Sequence, residues 1–116
     1  MKESIVKEKS INFAIRVVRC YKYLIEEKRE FVLSKQLLRC GTSIGANIKE
    51  ALRGQSRPDF ATKMNISLKE ASECEYWIEL LKNTEYLSED PAQSLLEDCR
   101  ELIKILTSIV KSANDK

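Results

Sequence analysis

The sequence predicts an all-α domain, an antiparallel up-down-up-down four-helix bundle. Three observations carry this. Only 3 Gly and 2 Pro punctuate the 116 residues, too few for many short strands and tight turns. Leu, Ile, Ala, Lys, Glu and Arg, all common in helices, fill much of the remainder. Apolar residues recur at three- and four-residue spacing in four separate stretches. With 43% hydrophobic and 33% charged residues, residues 1–116 read as one globular domain that needs no disulfide or metal staple.

The first helix is expected over about 10–27. Ser10 is its N-cap candidate, and Ala14, Val17, Val18, Tyr21, Leu24 and Ile25 make one apolar stripe, widened by Phe13 and Cys20. Arg16, Arg19 and Lys22 stand three apart elsewhere on the circumference and align as a basic ridge. The charged run Glu26 to Glu30 closes this helix. The second helix is expected over 34–53, capped by Ser34, with a stripe of Leu37, Leu38, Gly41, Ile44, Gly45, Ile48, Ala51 and Leu52. A glycine inside a helix costs about 1 kcal/mol relative to Ala. The four-residue separation of Gly41 and Gly45 puts both on one face, where small residues let a neighbouring backbone come close. A break at Gly41 is the alternative.

Gly54 suits a C-terminal cap, and Ser56-Arg57-Pro58-Asp59 signals the start of a third helix over 57–83. Phe60, Met64, Ser67, Leu68, Ala71, Glu75, Ile78 and Leu81 fall in register along it. Asp90-Pro91 opens the fourth helix, expected over 90–112, whose stripe is Ala92, Leu95, Leu96, Cys99, Leu102, Ile103, Leu106, Ile109 and Val110. Ser112 to Lys116 reads as a polar tail. Short connections make successive helices antiparallel neighbours.

Several function classes drop out. No apolar run approaches the roughly 20 residues that cross a bilayer. Met1 to Ser10 mixes charges with Ile5 and Val6, unlike a signal peptide, so a cytoplasmic protein is expected. With 0 His, the Ser-His-Asp and Cys-His arrangements and histidine metal ligands are absent. Cys20, Cys40, Cys74 and Cys99 fall one per helix in the same half of the bundle, so a four-cysteine zinc site is imaginable. No C-x-x-C pair exists, however, and each cysteine takes the place of a small hydrophobe. Neither metal nor cofactor is expected. Gly41-Thr42-Ser43-Ile44-Gly45 lacks the frame of a phosphate loop. Asn47 with Glu50, and Ser72 with Glu75, form two pairs three residues apart. They suit either a catalytic or ligand site or a buried polar network that fixes helix register, hydrogen-bonded internally or to Arg partners, and the network is the reading we adopt. No enzyme is expected.

The formal charge of +2 hides a division. Residues 1–58 hold 13 Lys+Arg against 6 acids, a net of +7, and residues 59–116 hold 7 against 12, a net of −5. This asymmetry suits a polyanion-binding surface, or self-association of one copy's basic half with the next copy's acidic half, or merely two different solvated faces. If the chain binds nucleic acid, Arg16, Arg19, Lys22, Arg39, Lys49, Arg53 and Arg57 are the candidates for phosphate contacts. Arg39 and Arg53 are alternatively partners of the core network. No aromatic series interleaves these cations, so base stacking is not expected.

Four segments together resemble a known family: Phe13-Ala14-Ile15-Arg16-Val17-Val18, Ser34-Lys35-Gln36-Leu37-Leu38-Arg39, Ser43-Ile44-Gly45-Ala46-Asn47-Ile48-Lys49-Glu50-Ala51 and Glu70-Ala71-Ser72-Glu73-Cys74-Glu75-Tyr76-Trp77. The family is that of the four-helix bundle proteins first met as open reading frames in intervening sequences of 23S ribosomal RNA genes. It includes the accessory variability determinants of diversity-generating retroelements. The resemblance spans nearly the whole chain. It implies a non-catalytic protomer that assembles into a homopentameric barrel with a central channel. In the retroelement branch it implies association with nucleic acid and with a reverse transcriptase. The expected function is therefore that of an oligomeric accessory factor that binds RNA or DNA through phosphates. The alternative is a scaffold that docks a partner protein, such as a reverse transcriptase, without touching nucleic acid.

Overall fold

The apolar stripes become four helices: α1 (Lys2–Glu26), α2 (Leu33–Leu52), α3 (Arg57–Asn83) and α4 (Glu89–Asn114). This is a computed structural model that describes residues 2–115, among which there is no strand; Met1 and Lys116 lie outside the described residues.

Helix α1 starts at Lys2 rather than near Ser10. The physical reason is Val6, which is fully buried and extends the seam of Ser10, Phe13, Val17 and Leu24 by another heptad step. Ser10 is therefore an interior residue and not a cap. Its hydroxyl donates to the Lys7 carbonyl at 2.8 Å. Ala14, Val18 and Ile25, expected at the centre of the stripe, are only half-buried at its border.

The start of α2 also differs from expectation. Ser34 lies inside the first turn, buried, and its hydroxyl donates to the Glu30 carbonyl at 2.7 Å. The cap is supplied by the Glu30 carboxylate, which accepts from the backbone N–H groups of Val32, Leu33 and Ser34 at 3.2, 3.0 and 2.7 Å. Arg29, at φ 55°, turns the chain so that Glu30 faces these donors. At the other end of α2, Arg53 is the C-cap, and no glycine has a positive φ, so Gly54 is not a left-handed cap. Its missing Cβ instead leaves room for the Asp59 carboxylate. The α3 start follows the sequence signal: Ser56 caps, its hydroxyl accepting from the Asp59 N–H at 3.2 Å, with Pro58 in the first turn. Helix α4 runs on through most of the expected polar tail, to Asn114.

Each helix packs on the one next to it in sequence, α1 also packs on α4, and the backbones of the diagonal pairs lie farther apart among the described residues. The result is a rod of 47 × 20 × 19 Å around one core, with Phe13, Leu37, Ile48, Met64, Ile78 and Leu102 among the buried side chains. Cross-helix partners run in opposing order. On α1, Lys9 meets Glu101 and Arg16 meets Asp98 of α4. On α2, Arg39 meets Glu73 and Glu50 meets Lys63 of α3. On α3, Glu75 meets Arg100 and Lys82 meets Glu89 of α4.

Three cysteines lie in the core. Cys74 Sγ is 2.9 Å from Cys40 Sγ, and the Cys99 thiol donates to the Ala71 carbonyl at 3.2 Å. Cys20 is half-buried, and among the described residues no three potential metal ligands from His, Cys, Asp or Glu gather at one place.

Candidate nucleic-acid interface

The seven candidate cations divide into two sets. Arg16 is spoken for by α4: its guanidinium donates to Asp98 Oδ2 at 2.6 Å and to the Ser94 hydroxyl at 3.1 Å. The basic ridge expected from Arg16, Arg19 and Lys22 therefore loses its first member, which turns toward the α1–α4 seam. Arg39 is likewise engaged, with Glu73 at 2.6 Å and Glu70 at 3.3 Å on α3. The Arg39 hydrogen bond, helped by the Trp77 indole N–H, holds the Glu73 carboxyl below its usual range. These pairs are partly exposed, so each contributes at most about 1 kcal/mol to stability.

Arg19, Lys22, Lys49, Arg53 and Arg57 form the second set. All are exposed, and none makes an ion pair among the described residues. Arg19, Lys22 and Lys49 border a groove of about 570 Å³ between α1 and α2. Its floor is apolar: Ile11 is 50% exposed and Ile15 44%. Lys49 also borders a second hollow, of about 740 Å³, at the α2–α3 connection, together with Arg53. Arg57 begins α3 just beyond.

The expected buried network of Asn47, Glu50, Ser72 and Glu75 does not form. Asn47 donates to the Ser43 carbonyl of its own helix at 2.9 Å. Glu50 is exposed and pairs with Lys63 at 2.9 Å. Ser72 is exposed, and Glu75 accepts from Arg100 at 2.6 Å. The core face of α3 runs through Met64, Ser67, Ala71, Cys74 and Ile78, so Glu75, one residue past Cys74, falls on the α3–α4 border. The polar residues that are buried are Ser10, Glu30, Ser34 and Ser67. Each finds a local backbone partner or, for Ser67, the Ile44 carbonyl across the α2–α3 interface at 2.8 Å. Among the described residues no buried side-chain N or O lacks a partner.

The architecture can now be set beside known proteins. The family model for the 23S rRNA-intervening sequence protein matches residues 2–108. The chain belongs to that family. It is also similar to a crystal structure of a protein with unknown function from the S23 ribosomal protein family of Bacteroides thetaiotaomicron. That chain is 56% identical, with a TM-score of 0.94, over 96% of this chain and 99% of that one. No curated protein matches the chain.

In this member of the 23S rRNA-intervening sequence protein family, the partners Ser94, Asp98, Glu70 and Glu73 decide which cations stay free. Reading the sequence alone missed them, because spacing along one helix does not tell which acid of another helix will face it. A cleft of about 440 Å³ lies on the far side of Arg19, between α1 and the start of α4, and includes Cys20. Burial there pushes the Cys20 thiol up to about 11, against the lowering influence of Arg16. No helix among the described residues is long and apolar enough to cross a membrane.

Proposed function

We propose that this chain is a non-enzymatic accessory protein that assembles with copies of itself and binds RNA or DNA through phosphate contacts. The observation that carries the reading is the exposed set Arg19, Lys22, Lys49, Arg53 and Arg57, on α1, α2 and its C-cap or the start of α3, all without a carboxylate partner among the described residues. Such cations release counterions when they meet phosphate, whatever the base sequence. The protomer is an antiparallel up-down-up-down bundle, a reading supported by the opposing order of the cross-helix ion pairs. A homopentameric ring, the assembly implied by the family resemblance, repeats the patch around an axis and raises avidity without new contacts. The four free thiols suit a reducing cytoplasm. The non-enzymatic part of the reading comes from the family resemblance; Asn47, Glu50 and Glu75 each bond to a different partner rather than to one another.

The test is retention on immobilised RNA and on DNA at low salt. Wild type is expected to bind both, with a log–log salt slope of roughly −0.9 per phosphate contacted on duplex DNA. The variant Arg53→Glu/Arg57→Glu should elute earlier at unchanged helical content. Light scattering reads the assembly, and a monomer mass at micromolar protein removes the ring. No retention of wild type at low salt removes the nucleic-acid reading.

A second reading is favoured by the apolar floor of the α1–α2 groove, which phosphate contacts leave uncovered. On this reading the protein is a scaffold that docks a partner protein, a reverse transcriptase in the retroelement setting. A partner protein that co-purifies from cells after nuclease treatment supports it.

A further inference from the structure

We propose that the α1–α2 groove of one copy receives the α3 edge of the next, so that the assembly is built from one repeated head-to-tail contact between a basic groove and an acidic ridge. The inference deepens the self-assembly reading and rests on it.

Both surfaces are left unfilled by the protomer. The groove shows the half-exposed Ile11 and Ile15 and is bordered by Arg19, Lys22 and Lys49 and by no carboxylate. Thr42, Gly45 and Ala46 of α2 are short, so nothing from that wall fills it. The ridge belongs to α3. Ile66, Trp77 and Leu80 are half-buried there, and Tyr76 beside them is 57% exposed. Glu70 and Glu73 lie between them on the side of α3 next to α2, since both reach Arg39. One guanidinium serves two carboxylates, so this cluster keeps one negative charge for a further cation. Lys69 stands one position away, on the outward line of α3 with Ser72 and Tyr76.

The spacings match. Ile15, Arg19 and Lys22 stand at i, i+4 and i+7 along α1, and Ile66, Glu70 and Glu73 stand at i, i+4 and i+7 along α3. In the up-down-up-down protomer α1 and α3 run the same way, and copies related by rotation about an axis along the rods keep that direction. Laid parallel, the rows set Ile66 on Ile15, Glu70 on Arg19 and Glu73 on Lys22. Trp77 and Leu80 then reach toward the α1–α2 connection, where Phe31 and Val32 are exposed. Groove on groove would set base against base, and ridge on ridge acid against acid, so charge selects the unlike contact. The whole chain carries the same polarity, +7 over residues 1–58 and −5 over residues 59–116.

The two faces also close. The groove lies on the α1–α2 side of the rod and the ridge on the α2–α3 side, adjacent sides that face about 90° apart in a four-helix bundle. A closed ring needs its two contact faces turned about 90° apart for four copies and about 108° for five. Val17 packs on Gly41 and Arg39 meets Glu73, so Ile15 stands within about one helical turn, roughly 5 Å, of the height of Ile66. A tilt of about 20°, ordinary for packed helices, takes up that offset across a rod 20 Å wide. Arg53 and Arg57 stay outside the contact, free for phosphate, and Arg19 and Lys22 act on nucleic acid through the avidity of the ring.

Light scattering at micromolar protein is the first measurement. Wild type should be an oligomer, and Ile15→Asp and Ile66→Asp should each fall to the mass of a single chain. Neither isoleucine belongs to the core, so circular dichroism of both variants should match wild type. Arg53→Glu/Arg57→Glu should keep the oligomer mass while reducing retention on RNA. The second measurement is cross-linking by a short bis-maleimide. The variant Ile15→Cys/Ile66→Cys should give a covalent ladder that runs past the dimer, and each single cysteine variant should cross-link no more than wild type. A wild-type monomer removes the self-assembly reading and this inference with it. A wild-type oligomer whose mass survives Ile15→Asp or Ile66→Asp leaves self-assembly standing and overturns the groove-and-ridge contact alone, as does a ladder that stops at the dimer or a single cysteine variant that cross-links to itself.

Discussion

Gly41 of α2 lies directly against Val17 of α1. A Cβ added to Gly41 would come within 2.7 and 2.8 Å of the two Val17 methyl carbons, closer than carbon atoms pack. The absent side chain thus sets how near α1 and α2 approach. The glycine keeps its helical geometry and interrupts nothing.

The first prediction follows from that contact. Gly41→Ala gains about 1 kcal/mol of helix propensity but forces overpacking that costs about 1–3 kcal/mol. We expect a net loss of stability, read as a lower midpoint of urea unfolding at unchanged slope. Val17→Ala alone also destabilises, by emptying core volume. In the double variant the new methyl takes up part of that space. The double variant should therefore lose less than the sum of the singles, by about 0.5 kcal/mol or more. Strict additivity would mean that the two residues do not set the helix spacing.

The Glu30 cap gives a pH-dependent prediction. Burial alone would raise its pKa, but the N–H groups of Leu33, Ser34 and Val32 outweigh burial and hold the carboxyl below its ordinary value. The folded pKa is thus lower than the unfolded one. The associated stability is present above the unfolded pKa and is lost as pH falls through the folded one. Glu30→Ala should cost about 0.5–2 kcal/mol at neutral pH, the usual range for a lost helix cap. The gap from wild type should narrow in acid. A gap independent of pH would show that the charge plays no part in the cap.

How far the sequence could be read differs by element. The start of helix α3 was legible because Ser56, Pro58 and Asp59 mark it by local chemistry, which needs no tertiary partner. Helix α1 was not, because its outer apolar stripe competes with its inner one. Averaging the two rotated the expected core face toward Ala14, Val18 and Ile25 and away from Val6 and Phe13. The candidate site was legible as a list of cations. Its division into free and engaged members was not, since Asp98 and Glu73 reach Arg16 and Arg39 only after the helices pack.

The thiols supply a third prediction. Burial pushes Cys99 up to about 12 and Cys20 up to about 11, and the contact with Cys40, then burial, raises Cys74 as well. Alkylation requires the thiolate. Native protein at neutral pH should therefore react slowly with iodoacetamide, and Cys20, the half-buried one, should react first. All four should react promptly in denaturant. Peptide mass spectrometry reads the order, and rapid native labelling of Cys40 or Cys74 would contradict the packing between α2 and α3.

The last prediction separates Arg16 from its neighbours on α1. From the sequence, Arg16, Arg19 and Lys22 are one ridge and should act together on a polyanion. In the fold, Arg16 is committed to Asp98 and Ser94, whereas Arg19 and Lys22 are exposed and make no ion pair among the described residues. Arg16→Glu sets two carboxylates against each other at the α1–α4 seam. Its expected effect is a modest loss of stability, bounded by the roughly 0–1 kcal/mol contribution of a partly exposed pair plus the new repulsion. Retention on RNA should change little in Arg16→Glu and fall clearly in Arg19→Glu/Lys22→Glu. Adding Asp98→Lys to Arg16→Glu reverses the pair and should restore stability without altering retention. The opposite pattern, with Arg16→Glu as damaging to retention as the pair variant, would return Arg16 to the nucleic-acid surface and make the Asp98 contact incidental.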